Sequence, residues 1–409
     1  MFTKKWLDDK RIILFTLVVF LIWQIALGAV IFLGKNFFPT TGSYLYTEKE
    51  VIVNPPIFWS RANFDGIHYL DIARKDYGIY QQAFFPVYPK LIKLISPFLM
   101  GRDLLAGLVI SWVAFFVAIF LFYKLVRLDF EEKIAKRTIL YLLVFPTAFF
   151  FSAVYTESLL LILVLGSFYF ARIKKWWLAG ILGALSSGTR LVGIFLLPAL
   201  LVEWVQQDEF KNQISKIKIA IQNLKRKNIF GFYNLIFHFS FFIFYLFPIL
   251  LISSGLLFYM RYLAINYHDP LMFLHVQPAF GAERVADKFI LLYQVFWRYL
   301  KMVATTKADP LYFTVWLEFL TAFGFLGLLV FSYLKKIRLS YLIFAVLAYI
   351  TPTLTGTFSS MPRYVLVLFP CFIAMALAKN KIVQILLFTF YFLLLIISTI
   401  FFTRGYWIG

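Results

Sequence analysis

The chain has 409 residues, 62% hydrophobic and 21% aromatic, with a mean hydropathy of +0.82. Ordinary soluble domains are about half apolar; here the excess recurs in long blocks, which excludes a string of soluble domains and makes residues 1–409 one polytopic, all-α membrane domain. Much of the surplus behind the +20 charge lies in short connectors, as in cytoplasmic loops beside anionic lipid headgroups rather than in a nucleic-acid binder, and the one cysteine, Cys371, excludes an intrachain disulfide or a cysteine zinc cluster.

Lys4, Lys5, Lys10 and Arg11 precede an apolar run from Ile12 to Leu33 of about 22 residues. That is long enough to span a bilayer and longer than a cleaved signal core, so it is read as an uncleaved first helix. Residues 35–103 follow as a first outer loop with two amphipathic segments. From Asp65 to Tyr77 the apolar residues Tyr69, Leu70, Ala73 and Tyr77 form one helical stripe, with His68, Asp71 and Lys75 on the other flank. Gly78 suits the end of that helix. Residues 86–100 form a second, largely apolar stretch carrying Lys90 and Lys93, fit to lie in the interface plane.

Further apolar runs at 104–126, 138–154, 158–173, 176–189, 191–205, 236–262, 311–334, 339–353, 363–378 and 382–402 bring the expected spans to about eleven. The 228–262 region is long enough to hide a re-entrant or extra segment, and 206–229 reads as a basic helix lying on the surface. With a cytoplasmic N-terminus, alternation puts the basic connectors 133–137, 172–175, 211–227, 335–338 and 379–381 in the cytoplasm. The same alternation sends 35–103, the turns at 155–158 and 187–190, a second large loop at 263–310, and 353–363 to the opposite face. Nearly every unusual polar residue lies in that second set, so the working side is expected to be extracytoplasmic.

Asp65 is the first candidate for catalysis: a general base must sit beside the hydroxyl it deprotonates, and such a base contributes roughly 10²–10⁴-fold in rate. The bland alternative is a helix N-cap. His68 and Asp71 step round the same flank and could bind sugar hydroxyls, tune Asp65 or ligate a divalent metal with it. The Asp-x₂-His-x₂-Asp spacing is not metal-specific, however, so no metal or other cofactor is assigned. Glu157 and Arg190 sit in turns between apolar spans, where a charge either lines a cavity or reaches water. Arg363, in Ser359-Ser360-Met361-Pro362-Arg363-Tyr364, reads as a bidentate phosphate ligand or as a snorkelling anchor. His238, in an apolar run, reads as a core histidine, and His268, Asp269, His275 and Gln277 mark a structured outer loop without a sharp role.

Phe64-Asp65, Tyr69-Leu70-Asp71-Ile72-Ala73 and Phe84-Phe85-Pro86-Val87-Tyr88-Pro89 resemble the first-loop pattern of the PIG-V-type mannosyltransferases, a family of the GT-C superfamily with bacterial members. Tyr155-Thr156-Glu157-Ser158-Leu159, Thr189-Arg190 and Met361-Pro362-Arg363-Tyr364 add weaker likeness. Phe64 stands where the family has tryptophan and Asn63 where arginine is usual, which bears on which sugar packs there. The resemblance implies a GT-C fold in the plasma membrane, a polyprenyl-phosphate sugar (mannose first) as donor, and a lipid or glycan hydroxyl as acceptor. It implies inversion with Asp65 as base, and Arg363 with Arg190 stabilising the departing phosphate. With it, His68, Tyr69, Asp71, Phe85, Tyr88, Glu157 and Tyr364 are taken as substrate-binding residues; the eukaryotic relatives work with a partner subunit, and whether this chain does is left open. A flippase for lipid-linked glycans is the rival from another class. A protein O-mannosyltransferase is a second rival; it would carry adjacent acidic residues where Asp65 is followed by Gly66.

Overall fold

The computed structural model describes residues 2–41, 55–225, 243–307 and 309–408. The helices in chain order begin with α1 (Phe2–Gly34), α2 (Asp65–Lys75), α3 (Val87–Ile95), α4 (Asp103–Val126) and α5 (Glu132–Val144). Next come α6 (Glu157–Arg172), α7 (Trp176–Ser187), α8 (Leu196–Gln206), α9 (Asp208–Lys225) and α10 (Ile243–Tyr267). The remainder are α11 (Leu292–Thr305), α12 (Pro310–Leu334), α13 (Leu339–Thr353), α14 (Met361–Tyr364), α15 (Phe369–Ala376) and α16 (Lys381–Thr403). No strand occurs among the described residues.

Five of these, in α1, α4, α10, α12 and α16, are apolar over 23 to 26 residues. At about 1.5 Å per residue such a helix exceeds a hydrocarbon core of about 30 Å. The other six expected spans fall on shorter helices of 8 to 16 residues. Several are flanked by 3₁₀ turns, at Ala148–Ser152, Leu191–Phe195 and Val365–Val367, where the sequence pattern had suggested continuous helix. Residues 226–242, with His238 and much of the 228–262 region, lie outside the described residues.

The break between α5 and α6 is the most consequential. Residues 145–156 are buried throughout yet do not form α-helix. Irregular backbone at such depth is tolerated only where protein satisfies its polar groups. Here the Val154 amide donates to the Arg61 carbonyl at 3.0 Å, and the Trp112 indole to the Ser152 carbonyl at 3.2 Å. Ser111 donates to the Tyr155 carbonyl at 3.3 Å, and Ser158 to that of Phe151 at 2.7 Å. Phe145, Phe149, Phe150 and Phe151 fill the centre of the main core around it.

Residues 55–103 pack onto this segment. Tyr69, Leu70 and Ala73 are buried, as their stripe required. The helix stops earlier than Gly78, at Lys75, with Asp76 (φ 61°) as its cap; Gly78 instead donates its amide to Gln81 Oε1 at 2.8 Å. After α3, Phe98 and Met100 are 81% and 89% exposed, an apolar ledge suited to a membrane surface. Elsewhere α4 packs on α6 and α6 on α7. The α7–α10 crossing is so close that a Cβ on Gly255 would lie 2.0 Å from the Ala184 carbonyl oxygen.

Candidate active site

A cavity of about 330 Å³ opens where α2, the start of α6, the turn after α7, the loop between α10 and α11, and the segment from α13 to α14 converge. Its walls include Asp65, His68, Tyr69, Phe85, Glu157, Arg190, Arg363 and Tyr364. Eight of the ten residues expected at the site are thus brought together. Tyr88 and Asp71 are not in the wall: the Tyr88 hydroxyl is buried between Gly107 O and Ser111 Oγ, both at 2.9 Å, and Asp71 is half-buried on α2.

Asp65 occupies the first turn of α2 but does not cap it. The capping position is Phe64, held at φ 58° and ψ −116°, where a residue with a side chain is strained. That backbone turns Phe64 toward Trp407 (ring centroids 5.1 Å apart, edge to face) and sets Asp65 at the cavity wall. Gly66 allows the approach beneath: a Cβ there would sit 3.3 Å from the Val154 carbonyl oxygen and 3.1 Å from Ala62 Cβ.

The Asp65 carboxylate meets Arg363 instead of a backbone amide. Arg363 Nη1 donates to Asp65 Oδ2 at 2.5 Å, and its Nε lies 3.5 Å from Glu157 Oε1. Glu157, the first residue of α6, also receives Arg190 Nη1 at 2.7 Å. The Tyr364 ring packs under both guanidiniums, 4.8 Å from that of Arg190 and 5.3 Å from that of Arg363. Burial pushes the Asp65 carboxyl up, but the charge and hydrogen bond of Arg363 outweigh it and hold the group below the usual carboxylate range. Glu157 Oε2 is buried with no hydrogen-bond partner among the described residues.

Arg363 is itself presented by a strained turn. Ser360, at φ 67°, opens α14, and its amide donates to Glu318 Oε1 at 3.1 Å. Glu318, buried in α12, accepts at its other oxygen from the Tyr299 hydroxyl at 2.6 Å. His68 stacks on Phe84 at 4.9 Å, with its Nδ1 3.4 Å from Gln81 Nε2, so Asp65, His68 and Asp71 do not converge as metal ligands. No group of three His, Cys, Asp or Glu residues that could hold a metal occurs among the described residues.

Sequence reasoning passed over Trp407, Glu318 and Arg284. Nothing in the sequence separates Arg284 from Lys288, Arg298, Lys301 and Lys307 of the same loop, and Glu318 sits inside an apolar run. Only the tertiary arrangement brings Trp407 to Phe64. No curated protein matches the chain. A family model described as Mannosyltransferase (PIG-V) matches residues 16–254, which carry Asp65, Glu157 and Arg190 and make up more than half of the sequence. The chain belongs to the PIG-V mannosyltransferase family.

Proposed function

We propose that this membrane glycosyltransferase moves a sugar, mannose in the first instance, from a polyprenyl-phosphate donor to a hydroxyl of a lipid or glycan acceptor, with Asp65 as general base at the extracytoplasmic surface. The observation that carries the reading is the Asp65 carboxylate, set at the wall of a cavity that three guanidiniums and a second carboxylate, Glu157, also line. One of them, Arg363, keeps that carboxylate ionised and fixed.

Arg363 engages Oδ2 only, and Oδ1 has no hydrogen-bond partner among the described residues, leaving it to accept a proton. In the reaction, an acceptor hydroxyl oxygen bonds to the anomeric carbon from the face opposite the phosphate. Its proton passes to Asp65 as the new bond forms. The bond between the anomeric carbon and the phosphate oxygen breaks, and its electron pair leaves with the polyprenyl phosphate, so the configuration inverts. A weak base suffices, because the attacking oxygen gains positive charge as it bonds and its proton becomes acidic. Three guanidiniums (Arg190, Arg284, Arg363) against two carboxylates (Asp65, Glu157) leave the cavity one positive charge in excess, suited to a departing anion. Phe64 and Trp407 offer aromatic walls on which a pyranose face can rest.

Incubating the purified chain with labelled polyprenyl-phosphate mannose and a membrane extract tests this. Label should pass to a lipid or glycan, and Asp65→Asn should lower turnover by roughly 10²–10⁴-fold without unfolding the protein. Near-normal turnover in that variant would remove Asp65 from the mechanism. Movement of intact donor across vesicles with no transfer of label would favour the flippase.

A further inference from the structure

The three guanidiniums of the cavity are not equivalent. Arg363 is committed to Asp65 at 2.5 Å, and Arg190 to Glu157 at 2.7 Å. Arg284 has no carboxylate within ion-pair distance among the described residues. It donates through Nη1 to the Phe280 carbonyl at 3.2 Å and through Nη2 to Ser359 Oγ at 3.5 Å. The acid next to it in sequence, Glu283, is taken by Arg298 at 2.7 Å.

The position of Arg284 is built. Gly281, Ala282 and Glu283 are all left-handed, at φ 72°, 54° and 49°, and two of the three carry side chains. Such a run persists only where its surroundings over-determine it. They do: the Val285 amide bonds to the Thr355 carbonyl and the Ile290 amide to the Leu354 carbonyl, each at 3.0 Å, and Arg298 Nη1 bonds to the Gly356 carbonyl at 3.0 Å. The loop is therefore fastened to the segment that continues to Ser360 and Arg363, and Arg284 is held half-buried in the same wall.

We propose that Arg284 binds the phosphate of the polyprenyl-phosphate donor and meets the charge that builds on the leaving oxygen, while Arg363 serves Asp65. This rests on the donor class proposed above and moves the phosphate from the residue expected by sequence, Arg363, to one the sequence did not mark. A cation already neutralised by a carboxylate is a poor anion site; one held by a carbonyl and a hydroxyl keeps its charge and most of its donors for a ligand.

The test is equilibrium binding of a labelled polyprenyl monophosphate to the detergent-solubilised full chain, with the uncharged polyprenol and phosphatidylglycerol as competitors. Wild type should prefer the phosphate over the alcohol, and phosphatidylglycerol should not displace it. Arg284→Gln should weaken phosphate binding roughly tenfold to a hundredfold and leave polyprenol binding unchanged. Arg284→Lys should fall between, having the charge but not the planar fork. Should the glutamine variant not fold, as read by its melting curve, the lysine variant decides alone. Unaltered phosphate affinity in the folded variants, with the wild-type preference intact, would overturn the assignment. So would displacement by phosphatidylglycerol as readily as by the polyprenyl compound, which would make Arg284 a general headgroup contact. A wild type that does not distinguish phosphate from alcohol would instead sink the donor class itself.

Discussion

Asp65 can take a proton only if it is charged when a hydroxyl arrives, and Arg363 decides whether it is. Burial alone would raise the carboxyl; the adjacent guanidinium more than reverses that. Because the folded value is depressed, the group is ionised above it, and its contribution to stability is lost only as pH falls through it. Turnover should accordingly be flat through neutral pH and fall only below about 3.9, the ordinary aspartate value. In Arg363→Gln the burial remains and the opposing charge is gone, so the acidic limb of the pH–rate profile should move upward; an unmoved limb would show that Arg363 does not set the ionisation of Asp65. Asp65 was legible because an acid beside an amphipathic stripe and an aromatic–proline run is unusual in so apolar a chain. The capping alternative was open until the fold put Phe64 in that position and Arg363 on the carboxylate. Tyr88 was expected to bind substrate from its motif, and only the tertiary fold turns its hydroxyl to α4.

Helix α6 acts as a ruler for the molecule. Its first residue, Glu157, lies in the cavity wall, and its last, Arg172, holds Asp129 through two hydrogen bonds at 2.6 and 2.7 Å. Sixteen residues at about 1.5 Å each separate these two charged clusters by roughly 24 Å. The far cluster ties together connectors that the sequence assigned to one side. Glu203 at the end of α8 accepts from Arg338 at 2.8 Å and Ser340 at 2.6 Å, and lies 3.5 Å from Arg172. Since Glu203 is fully buried, Glu203→Gln should destabilise by roughly 3–5 kcal/mol, read as a lower unfolding midpoint in detergent, while the donor KM of the surviving protein stays unchanged. A shifted KM would mean the two ends are coupled. Gly255→Ala should also lower the midpoint, by overpacking α7 against α10. Hydropathy located α6 and the long apolar helices α1, α4, α12 and α16 closely, since apolar runs between charged flanks mark such helices. It could not show that 145–156 abandons the α-helix, because a buried 3₁₀ turn and a buried α-helix have the same composition.

For the molecule as a whole, the proposed chemistry depends on which side of the membrane the cavity faces. Cys371 is fully buried, so a cysteine introduced at a surface position can be labelled selectively. In Ile79→Cys, on the loop after α2 and 83% exposed, a membrane-impermeant maleimide should react from outside intact cells. In Lys133→Cys, at the start of α5, the same reagent should react only after permeabilisation. The reverse pattern would put the cavity in the cytoplasm and end the extracytoplasmic reading. Asp65 and Arg363, which meet in the cavity, are 298 residues apart in the sequence. A nascent chain still leaving the ribosome carries the acid long before it carries the cation. On the mechanism proposed above, the enzyme cannot begin work during its own synthesis, and its centre is complete only once Arg363, in the last third of the chain, has been translated and inserted.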